Sequence, residues 1–193
     1  MKSVVVFCGS NNGTNPAYQE VAKEVGTILA KEKIKLIYGG GKVGLMGVLA
    51  DAVLAQGGEV IGVIPHFLDT KEVAHDDLTE LIRVESMHDR KMKMHKLCEG
   101  VITLPGGYGT MEELFEFITW AQLGLHNKPV GLLNVAGFYD ALFTFLDHLV
   151  TESFLKKLNR DMLLESTSIH DLLAKMQSYD APKVTKWIQS DET

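Results

Sequence analysis

KLIYGGGKVGLMGVLADAVLA, residues 35–55, passes from four strand-forming residues through three glycines into an apolar run of helical period. A short apolar run that is continuous rather than alternating reads as a strand buried on both faces. The same passage recurs along the chain. VVVF at 4–7, EVIGVI at 59–64, VITL at 101–104 and VGLL at 130–133 are equally continuous. Between them lie helical patterns. Residues 16–30 repeat apolar positions at Tyr18, Val21, Ala22, Val25, Ile28 and Leu29, and residues 44–55 and 138–150 behave similarly. A weaker strand, MLLES from Met162, and a last helix opened by Ser168 close the series. Strict alternation of strand and helix calls for right-handed crossovers and a parallel sheet covered on both faces. The expected fold is a doubly wound α/β single domain over residues 1–189, with 190–193 a frayed tail. The longest irregular stretch is PHFLDTKEVAHDDLTE at 65–80, which reads as a lid or interface loop.

Length and composition agree with one well-filled core: 193 residues, 46% apolar and 23% charged. The net charge of -6 excludes a broad basic surface, and with it non-specific binding of nucleic-acid polymers, but leaves room for a local cationic pocket. The two cysteines, Cys8 and Cys98, stand in no metal-ligand spacing, so neither a disulfide framework nor a zinc site is indicated. The opening MKSVVVFCGS is apolar for only about five residues, too short for a signal-peptide core or a membrane span. A cytoplasmic protein with no membrane partner is expected.

Ligands of doubly wound sheets bind outside the carboxyl ends of the strands. Three of those ends are glycine-rich or small here: CGSNNG at 8–13, GGGKVGLMG at 39–47 and PGGYGT at 105–110. Successive backbone N–H groups in such turns form a nest for anions, and the following helix adds the positive end of its dipole. Gly9, Ser10, Gly40, Gly41, Gly44 and Gly106 are therefore candidates for binding a phosphate. Glycine at a strand-to-helix turn also serves packing alone, so any single turn says little. None is a Walker loop, because GGGKVGLM lacks the Gly-Lys-Ser/Thr ending, and none gives the full dinucleotide fingerprint. ATPase and dehydrogenase readings lose their main support.

ESMHDRKMKMHKLC, 85–98, carries the cations. Ser86 with Asp89 is a capping pair at a helix start. At 100° per residue Met87, Met94, Leu97 and Cys98 form the apolar stripe, and Arg90 and Lys91 fall inside it. Two cations on a core side need partners. A structural carboxylate or outward snorkelling would serve one of them; an adjacent pair beside glycine nests points to a bound phosphate. In PGGYGTMEEL, 105–114, a helix starting near Met111 puts Glu112, Glu116 and Thr119 on one polar face, with Glu113 half sheltered beside Trp120. An acid in a first turn complements the helix dipole, which accounts for one exposed glutamate. A carboxylate beside a phosphate cradle suggests chemistry on a nucleotide or sugar phosphate. No lysine stands in a context that reads as a Schiff-base site.

In combination, PGGYGTMEE (105–113), MHDRK (87–91) and GGGKVGLMG (39–47) closely resemble the LONELY GUY family of cytokinin riboside 5′-monophosphate phosphoribohydrolases, often labelled "lysine decarboxylase". The resemblance runs from CGS at residue 8 through WAQLG and KPVGLLN to about residue 155. It implies a Rossmann-like fold and hydrolysis of the N-glycosidic bond of an N6-substituted adenosine 5′-monophosphate, giving free base and ribose 5-phosphate without metal or organic cofactor. Arg90 and Glu113 match the family's catalytic pair. Lys91, the turn of Gly107, Tyr108, Gly109, Thr110 and Glu112, Thr119 and Glu72 match its substrate contacts; KEVAHDDLTE, around Glu72, departs from the family's usual wording. A homodimer is implied as well, and the apolar excess of EELFEFITWAQLGL agrees with contacts drawn from 86–125. The alternative is a nucleotide- or molybdenum-cofactor-binding carrier or sensor on the same fold, which would not need both Arg90 and Glu113.

Overall fold

A computed structural model, describing residues 1–69 and 74–182, places seven strands in one parallel sheet. The strands are β1 (Ser3–Phe7), β2 (Lys35–Tyr38), β3 (Val60–Pro65), β4 (Glu80–Val84), β5 (Gly100–Thr103), β6 (Val130–Leu133) and β7 (Leu163–Ser166). The helices are α1 (Ala17–Lys31), α2 (Gly44–Ala55), α3 (His66–Asp69), α4 (Met87–Leu97), α5 (Tyr108–Gln122), α6 (Asp140–Thr151), α7 (Lys157–Arg160) and α8 (Ile169–Gln177). Strand order is β4-β3-β2-β1-β5-β6-β7. This is the doubly wound domain that the alternation of elements predicts.

Period-two alternation divides the core between the sheet's two faces. Val4 and Val6 point into a cluster with Val25 of α1, Leu49 of α2 and Leu172 of α8. Val5 and Phe7 point the other way, against Met94 of α4, Phe117 of α5 and Leu146 of α6. The central strand β1 is buried along its whole length, which is why VVVF carries no polar residue.

Three departures from the sequence reading have physical causes. First, β4 begins at Glu80, the last residue of the stretch whose sequence reads as irregular. It pairs with β3 alone at the sheet edge, and its half-exposed residues, Glu80 and Arg83 among them, lack the apolar continuity of a buried strand. Second, α5 begins at Tyr108, three residues before Met111, so two glycines at 107 and 109 flank a helix start that composition alone reads as loop. Third, α3 and α7 are single turns, too short to show a period. The tail expected at 190–193 lies outside the described residues.

At the end of the sheet opposite those glycine turns, a half-buried histidine, His95, and a buried one, His126, pack beneath α5. His126 Nε2 donates to the Phe117 carbonyl at 3.0 Å while Nδ1 accepts from the Lys128 amide at 3.1 Å, which fixes one neutral tautomer. The His95 ring lies 5.1 Å from that of His126 and 5.4 Å from Trp120, and the Lys128 ammonium donates to the His95 carbonyl. Burial, with the Lys128 charge nearby, pushes both imidazoles down to about 4. Protonation is therefore easier in the unfolded chain, near 6.5, than in the folded one. Their contribution to stability is complete above pH 6.5 and is lost as pH falls toward 4. Thermal midpoints measured across that window should decline, and His95→Phe, which keeps the ring packing and removes one titrating group, should make the decline shallower.

Candidate active site

The chain reverses its direction of winding between β1, which leads outward to β2, and β5, which pairs on the other side of β1. The crevice of such a sheet opens between the carboxyl ends of these two strands. Here the turns that follow them lock together: Gly9 N–H donates to the Pro105 carbonyl at 3.0 Å, and Leu45 N–H donates to the Gly9 carbonyl at 3.1 Å. Close packing explains several glycines. A Cβ on Gly44 would sit 2.2 Å from the backbone of Ser10, and Gly44 also holds a φ of +65°. A Cβ on Gly106 would sit 2.1 Å from Thr110 Oγ1. Gly40 and Gly41 are buried, with Gly41 bridged to Ala74, so they lie under the 74–75 segment rather than in the crevice. Of the six phosphate-binding candidates, Gly9, Ser10 and Gly106 line an open cavity of about 260 Å³, shared with Gly107, Tyr18 and Phe138.

Gly107 and Gly109 are different. A Cβ built on either meets nothing within 4 Å, and neither has a positive φ. Among the described residues nothing requires glycine there. Gly109, in the first turn of α5, also brings backbone freedom to the unfolded chain that alanine would remove, worth about 0.4–1 kcal/mol. Beside them Tyr108 is 98% exposed. They stand at the start of a 15-residue helix whose first amides have no intrahelical acceptor. Bare backbone, unsatisfied N–H donors and a positive dipole end make this the place where an anion can come closest.

The cations are set by α4. Ser86 Oγ accepts from the Asp89 amide at 3.0 Å and donates to the Asp89 carboxylate at 2.6 Å, so the cap fixes the helix phase. Arg90 and Lys91 then both turn inward and are buried. Arg90 Nε donates to the Val63 carbonyl and Nη2 to the Gly39 carbonyl, each at 3.1 Å. A Cβ on Gly39 would stand 2.0 Å from that nitrogen, so this glycine, absent from the sequence candidates, is what admits the guanidinium. Lys91 meets carboxylates instead. Its ammonium lies 2.6 Å from Glu112 and 3.0 Å from Glu116, tying α4 to α5. Burial alone would lower its proton affinity; the bonds to Glu112 and Glu116 outweigh this and hold it above the usual lysine range. The neighbouring pair thus splits. Lys91 finds the structural carboxylates, and Arg90 rests on carbonyl dipoles at the ends of β2 and β3.

Glu113, read as half sheltered, is 8% exposed. Burial, and next the Glu113 charge, push the Cys8 thiol well up, so the carboxylate lies near the end of β1. Arg90 and Glu113 therefore serve adjacent strand ends from two different helices. Thr119 lies about 9 Å further along α5 at the helical rise. It is exposed and lines a groove shared with Phe115, Ile118 and Leu149, not the crevice. Glu72 falls outside the described residues. A larger cleft of about 580 Å³ by α6, α7 and β7 is lined by charges already in ion pairs, such as Arg160 with Asp147 and Lys157 with Asp161. Among the described residues no group of three or more His, Cys, Asp or Glu could hold a metal ion, and no helix is long and apolar enough to cross a membrane.

A parallel sheet with an open helix start, a buried arginine and a buried acid on its carboxyl edge defines a Rossmann-like protein with its ionic side chains gathered at the strand ends. The chain belongs to the family described as "Possible lysine decarboxylase", whose model matches residues 46–176. It is 46% identical over 179 residues to the cytokinin riboside 5′-monophosphate phosphoribohydrolase LOG7 of Arabidopsis thaliana, covering 93% of this chain and 82% of that one. To the enzyme LOG of Oryza sativa subsp. japonica, of the same name, it is 46% identical over 178 residues, covering 92% and 74%. Among solved structures it is similar to the molybdenum cofactor binding protein of Rippkaea orientalis, with a TM-score of 0.66 at 20% identity over 92% of this chain and 97% of that one. The molybdenum cofactor carrier protein of Chlamydomonas reinhardtii gives 0.66 at 17% identity over 91% and 95%. At that distance the likeness concerns the fold.

The two kinds of glycine should separate by experiment. Gly106→Ala should destabilise the protein by about 1–3 kcal/mol through overpacking against Thr110. Gly109→Ala should raise the melting temperature of the free protein while weakening its affinity for AMP, as followed by thermal shift and calorimetric titration.

Proposed function

We propose that this protein hydrolyses the N-glycosidic bond of N6-substituted adenosine 5′-monophosphates, or of AMP itself, to free base and ribose 5-phosphate. The observation that carries this reading is a buried acid, Glu113, and a buried arginine, Arg90, serving adjacent strand ends beside the bare helix start at 107–110. Relatives named as cytokinin riboside 5′-monophosphate phosphoribohydrolases, nearly half identical over more than nine-tenths of the chain, support it.

In this mechanism the 5′-phosphate docks on the amides at 107–110, and the nucleotide lies along the carboxyl edge with C1′ toward Glu113. As the C1′–N9 bond lengthens, positive charge grows on the ribose. The Glu113 carboxylate stabilises that charge and positions or deprotonates the attacking water. Arg90 orients the nucleotide and balances its negative charge. Lys91 and Glu112 contact substrate by sharing it with the pair they already form, and Glu72 enters from the resemblance alone. The reaction uses no metal or organic cofactor, in the cytoplasm. Decarboxylation of lysine through a Schiff base on Lys91 is disfavoured, because that ammonium is held protonated by two glutamates.

Pure protein given AMP and N6-isopentenyl-AMP should release free base, detected by chromatography. The matching nucleosides should be poorer substrates by on the order of a hundredfold or more in kcat/KM, since two charge-assisted contacts are each worth about 1.5–3 kcal/mol. Glu113→Gln keeps the shape and removes the charge, so it should lose nearly all turnover while retaining nucleotide affinity. Equal hydrolysis of nucleotide and nucleoside would count against the anion site.

The working unit in this proposal is a homodimer whose contacts include part of 86–125. Phe115 is 38% exposed, and the α5 groove that holds Thr119 is otherwise lined largely by apolar side chains from α5 and α6. A two-fold contact buries such a surface and carries Thr119 to a partner's crevice. Light scattering should give twice the 21.3 kDa chain mass; a monomer at assay concentration would exclude the dimer.

A further inference from the structure

We propose that His75 and Asp51 are a positioning pair for this reaction, holding the glycine turn at 39–41 in the one shape that lets its carbonyl carry Arg90. The inference rests on the catalytic reading of Arg90 given under Proposed function. Both residues lie outside the substrate contacts.

The ring of His75 is 2% exposed, unusual for a histidine, and both of its nitrogens are used. Nδ1 accepts from the Asp77 amide at 3.2 Å, so Nε2 carries the proton and donates to Asp51 Oδ1 at 2.9 Å. The backbone of the same residue reaches the glycine turn: His75 N–H donates to the Gly40 carbonyl at 3.0 Å, next to the bridge between Ala74 and Gly41. Asp51 belongs to α2, the helix that leaves this turn at Gly44. The turn is therefore clamped from both sides. One clamp is the backbone of residues 74 and 75, and the other is the helix it feeds.

The clamp matters because of what the preceding peptide does. Gly40 sits at φ +80° and has no side chain to limit its rotation. The Gly39 carbonyl, one peptide earlier, accepts from Arg90 Nη2 at 3.1 Å. With the Gly40 carbonyl pinned by His75, the orientation of the Gly39 carbonyl is restricted too. Released from it, the turn has freedom that only glycines possess, and the guanidinium loses a fixed acceptor. His75 touches neither Arg90 nor the crevice cavity in this arrangement. It acts through two peptide planes, and Asp51 acts through His75. The carboxylate of Asp51 is 67% exposed, so water could satisfy it; its bond to His75 is not forced by burial of the acid.

The experiment compares His75→Phe, Asp51→Ala and Asp51→Asn, each checked for folding by thermal melting, with N6-isopentenyl-AMP as substrate. His75→Phe and Asp51→Ala should lower kcat about tenfold with KM held within about twofold, because the Arg90 charge remains and only its aim is relaxed. Asp51→Asn keeps an acceptor for Nε2–H and should restore more than about half of the rate. The Arg90 Nη–H resonances, identified by their loss in Arg90→Ala, should exchange with water faster in His75→Phe and Asp51→Ala than in the parent, since Nη2 is the donor to the Gly39 carbonyl. In the Arg90→Ala background, His75→Phe should add no further loss. Full activity of His75→Phe, unchanged Nη–H exchange, or an equal loss with and without Arg90 would each overturn the proposal. If His75→Phe fails to fold, Asp51→Ala decides the same points. Full activity of Arg90→Ala would instead remove the reading of Arg90 itself, a result visible without any His75 variant.

Discussion

A guanidinium has been taken out of water at the carboxyl edge of a parallel sheet, and the site is organised by that fact. Burying an uncompensated charge costs several kcal/mol. Arg90 is met by the carbonyls of Gly39 and Val63, which are dipoles and not charges. They stabilise the cation without cancelling it. For the carbonyls to come close enough, residue 39 must lack a Cβ and α4 must begin at the phase that Ser86 and Asp89 set. A cation held this way keeps its attraction for an anion and has little freedom to lose when one arrives.

Lys91 is the instructive neighbour. It follows Arg90 on the same helix and is as well buried, yet Glu112 and Glu116 neutralise it. The result is a strut between α4 and α5, the two helices that supply Arg90 and Glu113. Arginine suits the open role, since its charge is permanent and its planar donors are fixed in direction. Lysine suits the strut, a compact ammonium that two carboxylates can reach at once. One pair of cations thus divides into a group held by carbonyl dipoles and a group neutralised by carboxylates.

The glycines divide in the same way. Those at 39, 44 and 106 are demanded by neighbours that a Cβ would strike, and they let the strand-end turns close on Arg90, Ser10 and Thr110. Those at 107 and 109 meet no neighbour among the described residues. Fold relatives with about one-fifth identity show that this sheet also serves proteins of other names, so the architecture alone does not select a chemistry. The bare helix start and the two buried ionic side chains beside it are what narrow the choice.

Sequence by itself determined the sheet, because a parallel strand covered on both faces must be apolar where it is buried, and that demand is written residue by residue in VVVF, in LIY at 36–38 and in VGLL. It also marked Arg90, Lys91 and Glu113 as ionic groups on or near core-facing stripes, since helical period reports burial. It missed β4, whose edge position relaxes the demand, and the first turn of α5, where glycines mask a helix. Only the tertiary structure decided that Lys91 meets Glu112 and Glu116, twenty-one and twenty-five residues away, while Arg90 meets the carbonyls of Gly39 and Val63. It alone separated packing glycines from open ones and joined His75 to Asp51. Periodicity describes each residue's own exposure; a partner is a property of two residues and of the folds between them, and no local pattern records it.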